Sequence, residues 1–398
     1  MHLKLPDTAT FSTPEKIEFL KAALHASPDA PWLRMQLGGL LLLRDDFEGV
    51  ISLLHGRQFE GVWQHRARML EGNAWMSKAT PEANLQASKM FELAFDAAAI
   101  PITRARALAA LGKACIRLNK KTEARTALES SLLLDPRNPD AQKRLTAMDL
   151  NEGRESDALR RCDAMLKQGV NNSRLLADRY LLLALLGREK EAQEQEGLDQ
   201  FLSETTPLPP FGWSSIEEFN NALSEELYTH PSLRYERYGT ASTASWRIDE
   251  PLLARSKVFP ALLEMIRREA LSQLERLDDG HVLQQSKPER ALIRAWSVLA
   301  QGSGHEEWHM HQSGWISGVY YVAVPDSVKA SSDKRGCIEF GNPELPHIPR
   351  VTSEQRITIR PSPGKLLMFP SQAYHHTYPS DSSERRLVVA FDIVPIDS

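Results

Sequence analysis

The chain has 398 residues, 42% of them hydrophobic and 25% charged, with a formal charge of −4 and a pI near 6.3. That is the balance of a globular protein with room for two or three domains. Without a basic footprint, nucleic acid and anionic membrane are not expected as partners. Cys115, Cys162 and Cys337 are too few and too far apart for a disulfide framework or a zinc ribbon, so they are expected as reduced thiols of a cytoplasmic protein. "MHLKLPDTATF" lacks the order of a signal peptide, and no apolar run approaches the ~20 residues of a membrane span.

From Thr10 to about Leu202 apolar residues recur every three or four positions, which predicts helices. The pattern also repeats at 34 residues: Leu111 returns as Leu145, Ala124 as Ala158 and Ala192, and Gly153 as Gly187. The clearest copy, "LGKACIRLNKKTEARTALESSLLLDP", puts Leu111 and Gly112 at a close helix contact, Ala124 at the crossing, Leu128 in the core and Pro136 at the end. "LGGLLLLRDDFEGVISLL" carries Leu37, Gly38, Val50 and Leu54 at matching offsets. Residues 58–105 fit poorly, and "SKATPEANLQ" reads as an inserted turn. In this period and these positions the first half resembles the tetratricopeptide repeats. Such helix pairs bury their apolar faces only by stacking, and the stack leaves a concave surface for a protein or peptide. A scaffold that only docks on the rest of the chain is the alternative.

At "ETTPLPPFGW", residues 204–213, three prolines end the helical pattern. "SIEEFNNALSEELYTHP" predicts a helix with Ser215 as N-cap and Glu218 three residues on. A second helix is predicted over 252–277, interrupted near Pro260. Strands then follow at 290–300, 315–325, 337–341, 356–361, 365–371 and 385–395, short, aromatic and β-branched. "DSVKASSDKRG", 326–336, is expected as a loop over the barrel mouth. The fold class is α+β in two domains: a tetratricopeptide-like α-solenoid over 1–203, and a double-stranded β-helix (jelly roll) with flanking helices over 204–398, its core at 290–396.

Six of the twelve histidines, His305, His309, His311, His347, His375 and His376, fall in the last 94 residues. "HEEWHMHQSGW" (305–315) contains a literal H-E-x-x-H. That motif holds zinc only on a helix, where positions i and i+4 share a face. Here it lies between "QGSG" and "QSGW", among predicted strands. On a strand the period is two, so His309 and His311 share a face and can chelate one ion. His375 follows the apolar strand "KLLMFPS" and is the candidate third ligand. Arg386 opens the last apolar strand, where it needs an anion: a bound carboxylate, or a structural partner such as Asp392. Glu306 and Glu307 are expected in solvent, as are His305 and His347. Trp308 and Trp315 read as rim or core packing, with a substrate-side role as the alternative.

The blocks "HMHQSGWISGVYYVAVP", "GCIEFGNP", "PSPGKLLMFPSQAYHHTYP" and "ERRLVVAFDIVP", in this order, resemble the Fe(II)/2-oxoglutarate-dependent oxygenases, in the branch with HxH followed by SGVYYV. The likeness spans about 290–396. It implies that His309 and His375 ligate Fe(II), that Arg386 binds the distal carboxylate of 2-oxoglutarate, that Tyr321 or Tyr320 reaches that carboxylate, and that His376 faces outward. It also implies 2-oxoglutarate and O₂ as cosubstrates. His311 stands where the wider superfamily has a carboxylate ligand, so it either ligates directly or holds a water. The reading is an Fe(II)/2-oxoglutarate-dependent dioxygenase that hydroxylates a protein or peptide side chain presented by the repeats. The alternative is a catalytically idle barrel in an interaction scaffold.

Overall fold

The structure, a computed structural model, describes residues 1–344 and 356–396. It divides into two compact units, Thr13–Asn171 and the remainder formed by Met1–Ser12 with Asn172–Ser398.

In the first unit the three- and four-residue apolar spacing becomes an array of helices. They are α1 (Thr13–Ala26), α2 (Pro31–Leu43), α3 (Phe47–Leu54), α4 (Val62–Ser77), α5 (Pro81–Asp96), α6 (Pro101–Arg117), α7 (Lys121–Leu134), α8 (Pro139–Asn151) and α9 (Glu155–Lys167). Each packs on the next, and α2 also touches α4 and α6 touches α8. The crossing of α6 and α7 is tight because Gly112 has no side chain: a Cβ there would lie 2.6 Å from Leu128 Cγ. Ala124, Ala158 and Leu128 are fully buried, as the 34-residue period requires. Residues 58–105 turn out to hold a regular helix pair. Gly72 lies against Phe91 as Gly112 lies against Leu128, since its Cβ would come within 2.5 Å of the ring. "SKATPEANLQ" is no insertion: only its start is a turn, and Thr80 then caps α5, accepting from the Ala83 amide at 3.1 Å. Gly72 keeps the 34-residue distance from Gly38 but stands 40 residues before Gly112, because α5 and α6, at 16 and 17 residues, are longer than α7 and α8, at 14 and 13, and this shifts the phase.

The second unit begins in sequence with strand β1 (His2–Lys4) and takes in the last helical copy, α10 (Ser173–Leu185) and α11 (Glu189–Glu196), with Ala192 at the crossing. The helical sequence grammar runs to residue 203, yet the compact units divide at 171/172. The physical cause is in α10: the Ser173 hydroxyl donates to the Gly314 carbonyl, and Arg174 reaches Tyr374. Next come β2 (Ser203–Thr205), α12 (Ile216–Tyr228), β3 (Arg234–Tyr235), β4 (Ser242–Ile248) and α13 (Phe259–Glu275). Ser215 caps α12, accepting from the Glu218 amide at 3.0 Å. Pro260 starts α13 and does not interrupt a longer helix, because a missing N–H costs nothing in the first turn.

The barrel strands are β5 (Arg290–Glu306), β6 (Ile316–Ala323), β7 (Ile338–Phe340), β8 (Ile357–Ile359), β9 (Leu366–Pro370), β10 (His375–Thr377) and β11 (Ser382–Pro395). The large sheet runs β2-β9-β6-β11-β5-β4-β3, with β1 on β5, and the small sheet runs β10-β7-β8. The pleat sorts the residues. Tyr320, Val322, Leu387, Val389 and Phe391 face a core shared with α12 and α13. Val298, Val319, Tyr321 and Val388 face the interior, packed with Ile338, Phe340 and Phe369. The segment 326–336 is only partly loop: Asp326–Lys329 forms a helical turn that buries Val328. No described helix is long and apolar enough to cross a membrane.

Gly112→Val is expected to destabilise the helical unit by about 1–3 kcal/mol through overpacking against Leu128. Urea unfolding of the full chain, followed by circular dichroism, checks this.

Candidate functional site

The segment "HEEWHMHQSGW" is not helical. His305 and Glu306 end β5, and the chain then crosses to β10, so the H-E-x-x-H spacing carries no zinc-protease geometry. His309 and His375 form an antiparallel bridge: the His309 amide donates to the His375 carbonyl at 3.0 Å, the His375 amide to the His309 carbonyl at 2.9 Å. Two residues on, the His311 amide donates to the Ser371 carbonyl at 3.0 Å. Backbone pairing therefore fixes all three Cα positions before any side chain acts.

The imidazoles then converge. One ring nitrogen from each of His309, His311 and His375 lies within 4.8 Å of the others. Each Nδ1 has an oxygen partner: Glu307 O at 2.7 Å for His309, Ala373 O at 3.0 Å for His375, and the Asp392 carboxylate for His311. With Nδ1–H donating outward, every Nε2 keeps its lone pair for the cavity. The Nε2 atoms of His309 and His311 are 3.3 Å apart. Burial, and then His311, push His309 down to about 3. Burial and the two neighbouring histidines also hold His375 well below the usual histidine value. Neutral imidazoles aimed at one point form a donor set for a transition metal.

The same cavity is lined by Arg386, Tyr321, Thr377, Glu306 and Trp296. Arg386 is 3% exposed. It donates to the Gly336 carbonyl at 3.2 Å and to Thr377 Oγ1 at 3.1 Å, and among the described residues it makes no ion pair. Asp392 does not serve it; that carboxylate takes His311 and the Ser317 hydroxyl, the latter at 2.7 Å. Thr377 Oγ1 also accepts from the Glu306 amide at 2.9 Å, which leaves its own proton to donate elsewhere. Tyr321 lines the cavity, whereas Tyr320 points the other way and donates to Asn220 at 2.8 Å.

Other expectations resolve as follows. Glu306 is not in solvent: it lines the cavity, accepts from Ser242 at 2.7 Å, and burial raises its carboxyl above the usual range. Glu307 is exposed. His376 turns away from the triad toward Trp308, ring centroids 4.1 Å apart, and toward Glu339. Trp315 is core, donating to Ser286 at 3.1 Å. His305 bonds to Glu307 at 3.1 Å, and His347 lies outside the described residues. Arg174 on α10 braces the site from behind. It donates to Met310 Sδ at 2.8 Å and to the Tyr374 hydroxyl at 3.3 Å, between two histidines on one segment and just before the third on the other. Nothing in the sequence pattern pointed to Arg174, Thr377 or the Asp392–His311 pair.

Residues 294–392 match the family model described as "Putative 2OG-Fe(II) oxygenase". No curated protein matches the chain. Among solved structures, a prolyl-4-hydroxylase from Pseudomonas putida is 14% identical, with a TM-score of 0.35, over 50% of this chain and 96% of that one. HygX from Streptomyces hygroscopicus, solved with nickel and 2-oxoglutarate, is 15% identical with a TM-score of 0.35, over 50% and 84%. A tetratricopeptide repeat protein from Parabacteroides merdae is 16% identical with a TM-score of 0.36, over 46% and 70%. The segment that matches the family model contains both the imidazole triad and the lining of the cavity.

His309 is neutral in the fold down to about pH 3, while an unfolded chain protonates histidine near pH 6.5. Its contribution to stability is therefore present above about 6.5 and lost as the pH falls toward 3. The urea midpoint of the metal-free protein is expected to fall between about pH 7.5 and 5, and to fall less in His309→Asn.

Proposed function

We propose that this chain is an Fe(II)- and 2-oxoglutarate-dependent dioxygenase that hydroxylates a side chain of a protein or peptide held by its helical repeats. The observation that carries the reading is one cavity holding three converging imidazoles beside a buried guanidinium that makes no ion pair among the described residues. The residues fit Fe(II). Two nitrogen lone pairs 3.3 Å apart repel each other unless a cation lies between them. Adjacent imidazoles on a six-coordinate ion stand about 3 Å apart when the metal–nitrogen bonds are near 2.1 Å.

His309, His311 and His375 would hold the iron through Nε2, with His311 ligating directly. Asp392 then stands behind His311 and supplies, one bond removed, the negative charge that a carboxylate ligand would bring. Arg386 would bind the distal carboxylate of 2-oxoglutarate through its two-pronged guanidinium. The spare proton of Thr377 and the Tyr321 hydroxyl lie in the same cavity to complete that anchor. Val298, Val319, Ile338 and Phe369 keep water from the anchored cosubstrate. With Fe(II) bound, the centre would supply the coupled oxidation in which O₂ gives one oxygen atom to 2-oxoglutarate, leaving succinate and CO₂, and the other to a substrate C–H bond. Cys115, Cys162 and Cys337 are buried and unpaired, which supports a reducing, cytoplasmic setting. An idle scaffold is not favoured, because the imidazole triad and the Arg386 guanidinium line one cavity, which supports the oxygenase reading.

Anaerobic addition of Fe(II) and then 2-oxoglutarate is expected to raise a visible charge-transfer band, absent in His375→Ala. An unchanged spectrum with no retained iron would end this reading. Arg386→Met is expected to raise the 2-oxoglutarate concentration needed for the band by about 100-fold, with iron affinity unchanged. Asp392→Asn is expected to weaken iron affinity about 10- to 100-fold, measured by competition with a chelator.

A further inference from the structure

The interior face of the large sheet continues past the cavity onto β4 and β3, and there it turns basic. Arg247 on β4 carries its guanidinium over the Trp296 indole, 5.0 Å from the ring centroid. Trp296 lines the cavity, and it also packs on the His311 imidazole, with ring centroids 5.4 Å apart. The indole thus stands between this guanidinium and the triad. Arg234 lies directly across the ladder from Arg247, and Arg237 follows β3 in the chain. All three reach one carboxylate, Asp249: Arg247 at 2.7 Å, Arg237 at 3.1 Å and Arg234 at 3.3 Å. The single negative charge of Asp249 is therefore divided among three guanidinium groups.

Arg294 adds a fourth. Along β5 the period of two puts it on the same face as Trp296 and Val298. It lies directly opposite Asp392 on β11, where opposite charges ordinarily pair. No such pair forms. Asp392 is turned to His311 and Ser317 instead, and Arg294 is exposed, with no ion pair or hydrogen bond among the described residues. The remaining acid of the cavity, Glu306, is held by Ser242, and burial keeps its carboxyl above the usual range. Arg247 thus has a share of one carboxylate, and Arg294 has none. Two guanidinium groups beside an aromatic wall suit an anion: their planar forks match carboxylate and phosphate oxygens.

We infer that the substrate of this cavity carries an anionic group, a carboxylate or a phosphate, that docks on Arg294 and Arg247 while the carbons leading to the reacting C–H bond lie along Trp296. The inference rests on the oxygenase reading, and gives the substrate of that site a charge and a direction. The anion sits at the rim, and the carbon to be oxidised lies across the indole, at the triad. Anchoring one end in this way fixes which carbon faces the metal position. The anchor is separate from Arg386, which in that reading is filled by 2-oxoglutarate.

The test uses the full chain loaded with Mn(II), an ion suited to the same kind of donor set, and with 2-oxoglutarate, so that the triad and Arg386 are filled. The probes are inorganic phosphate and acetate, with ionic strength held constant by chloride. Equilibrium dialysis measures their binding. Nuclear magnetic relaxation of the phosphorus and of the carboxylate carbon measures how near the bound probe lies to the paramagnetic metal. Saturable binding of at least one probe is expected, with relaxation enhanced by the metal yet short of direct ligation. The probe that binds more tightly names the group as phosphate or carboxylate. Arg294→Gln and Arg247→Gln should each weaken that binding by about tenfold, and Arg294→Lys should keep part of it. Arg294 is exposed, so its variants leave the fold intact, and circular dichroism checks Arg247→Gln. With manganese retained, three results would each overturn the inference alone: no binding of either anion, binding unchanged in both Gln variants, or binding without relaxation by the metal. Failure to retain manganese would instead end the oxygenase reading, and this inference with it.

Discussion

The antiparallel bridge between His309 and His375 is the constraint on which the rest of the barrel interior depends. Two reciprocal backbone hydrogen bonds place two imidazoles across from each other, and the strand period of two adds His311 on the same side. Once the backbone is fixed, three oxygens on the outer side of the rings select the tautomer that turns each Nε2 inward. The cost of burying these rings neutral is small, whereas burying them charged would be large. Arg174 supports the arrangement from the far side by holding Met310 and Tyr374, the residues next to the ligating positions.

Strand β11 carries the electrostatic design. Arg386, Val388, Ala390 and Asp392 alternate with Leu387, Val389, Phe391 and Ile393, so the arginine and the aspartate face the same interior. They do not neutralise each other. Asp392 is committed to His311 and Ser317, and Arg386 is committed only to neutral acceptors. A buried guanidinium left this way is expensive for the empty fold and suited to a dianion. The pair splits one strand into an end beside the imidazole triad and an end that carries the guanidinium, the two places that the proposed function gives to metal and cosubstrate.

Much of this was legible in the sequence. The 34-residue period located the helical pairs through Gly112, Ala124 and Ala158, because a close helix crossing tolerates only small residues. It failed at 58–105 because the longer helices α5 and α6 shifted the phase, although Gly72 was there to be read at the same distance from Gly38. The long barrel strands were legible from alternation. Of the strands of two or three residues, β7 and β8 were legible from β-branched and aromatic content, but β1, β2, β3 and β10 were not, and β4 was missed as well. The three histidines and Arg386 were legible because charged or ligating groups in apolar strands have few explanations. Asp392 was read as a possible partner of Arg386. Its true partner, His311, depends on which strands lie side by side, β11 between β5 and β6, and no local pattern encodes that. Glu306 looked like one of two solvated glutamates. It is Ser242, 64 positions away, that shows it belongs to the cavity.

The account makes the iron centre a set of three imidazoles with its carboxylate one bond removed. X-ray absorption at the iron edge of the Fe(II)–2-oxoglutarate protein counts imidazole ligands by their multiple-scattering signature. The account predicts three, retained in Asp392→Asn with a looser third ring. Two imidazoles, with a protein carboxylate or water in the third place, would contradict it.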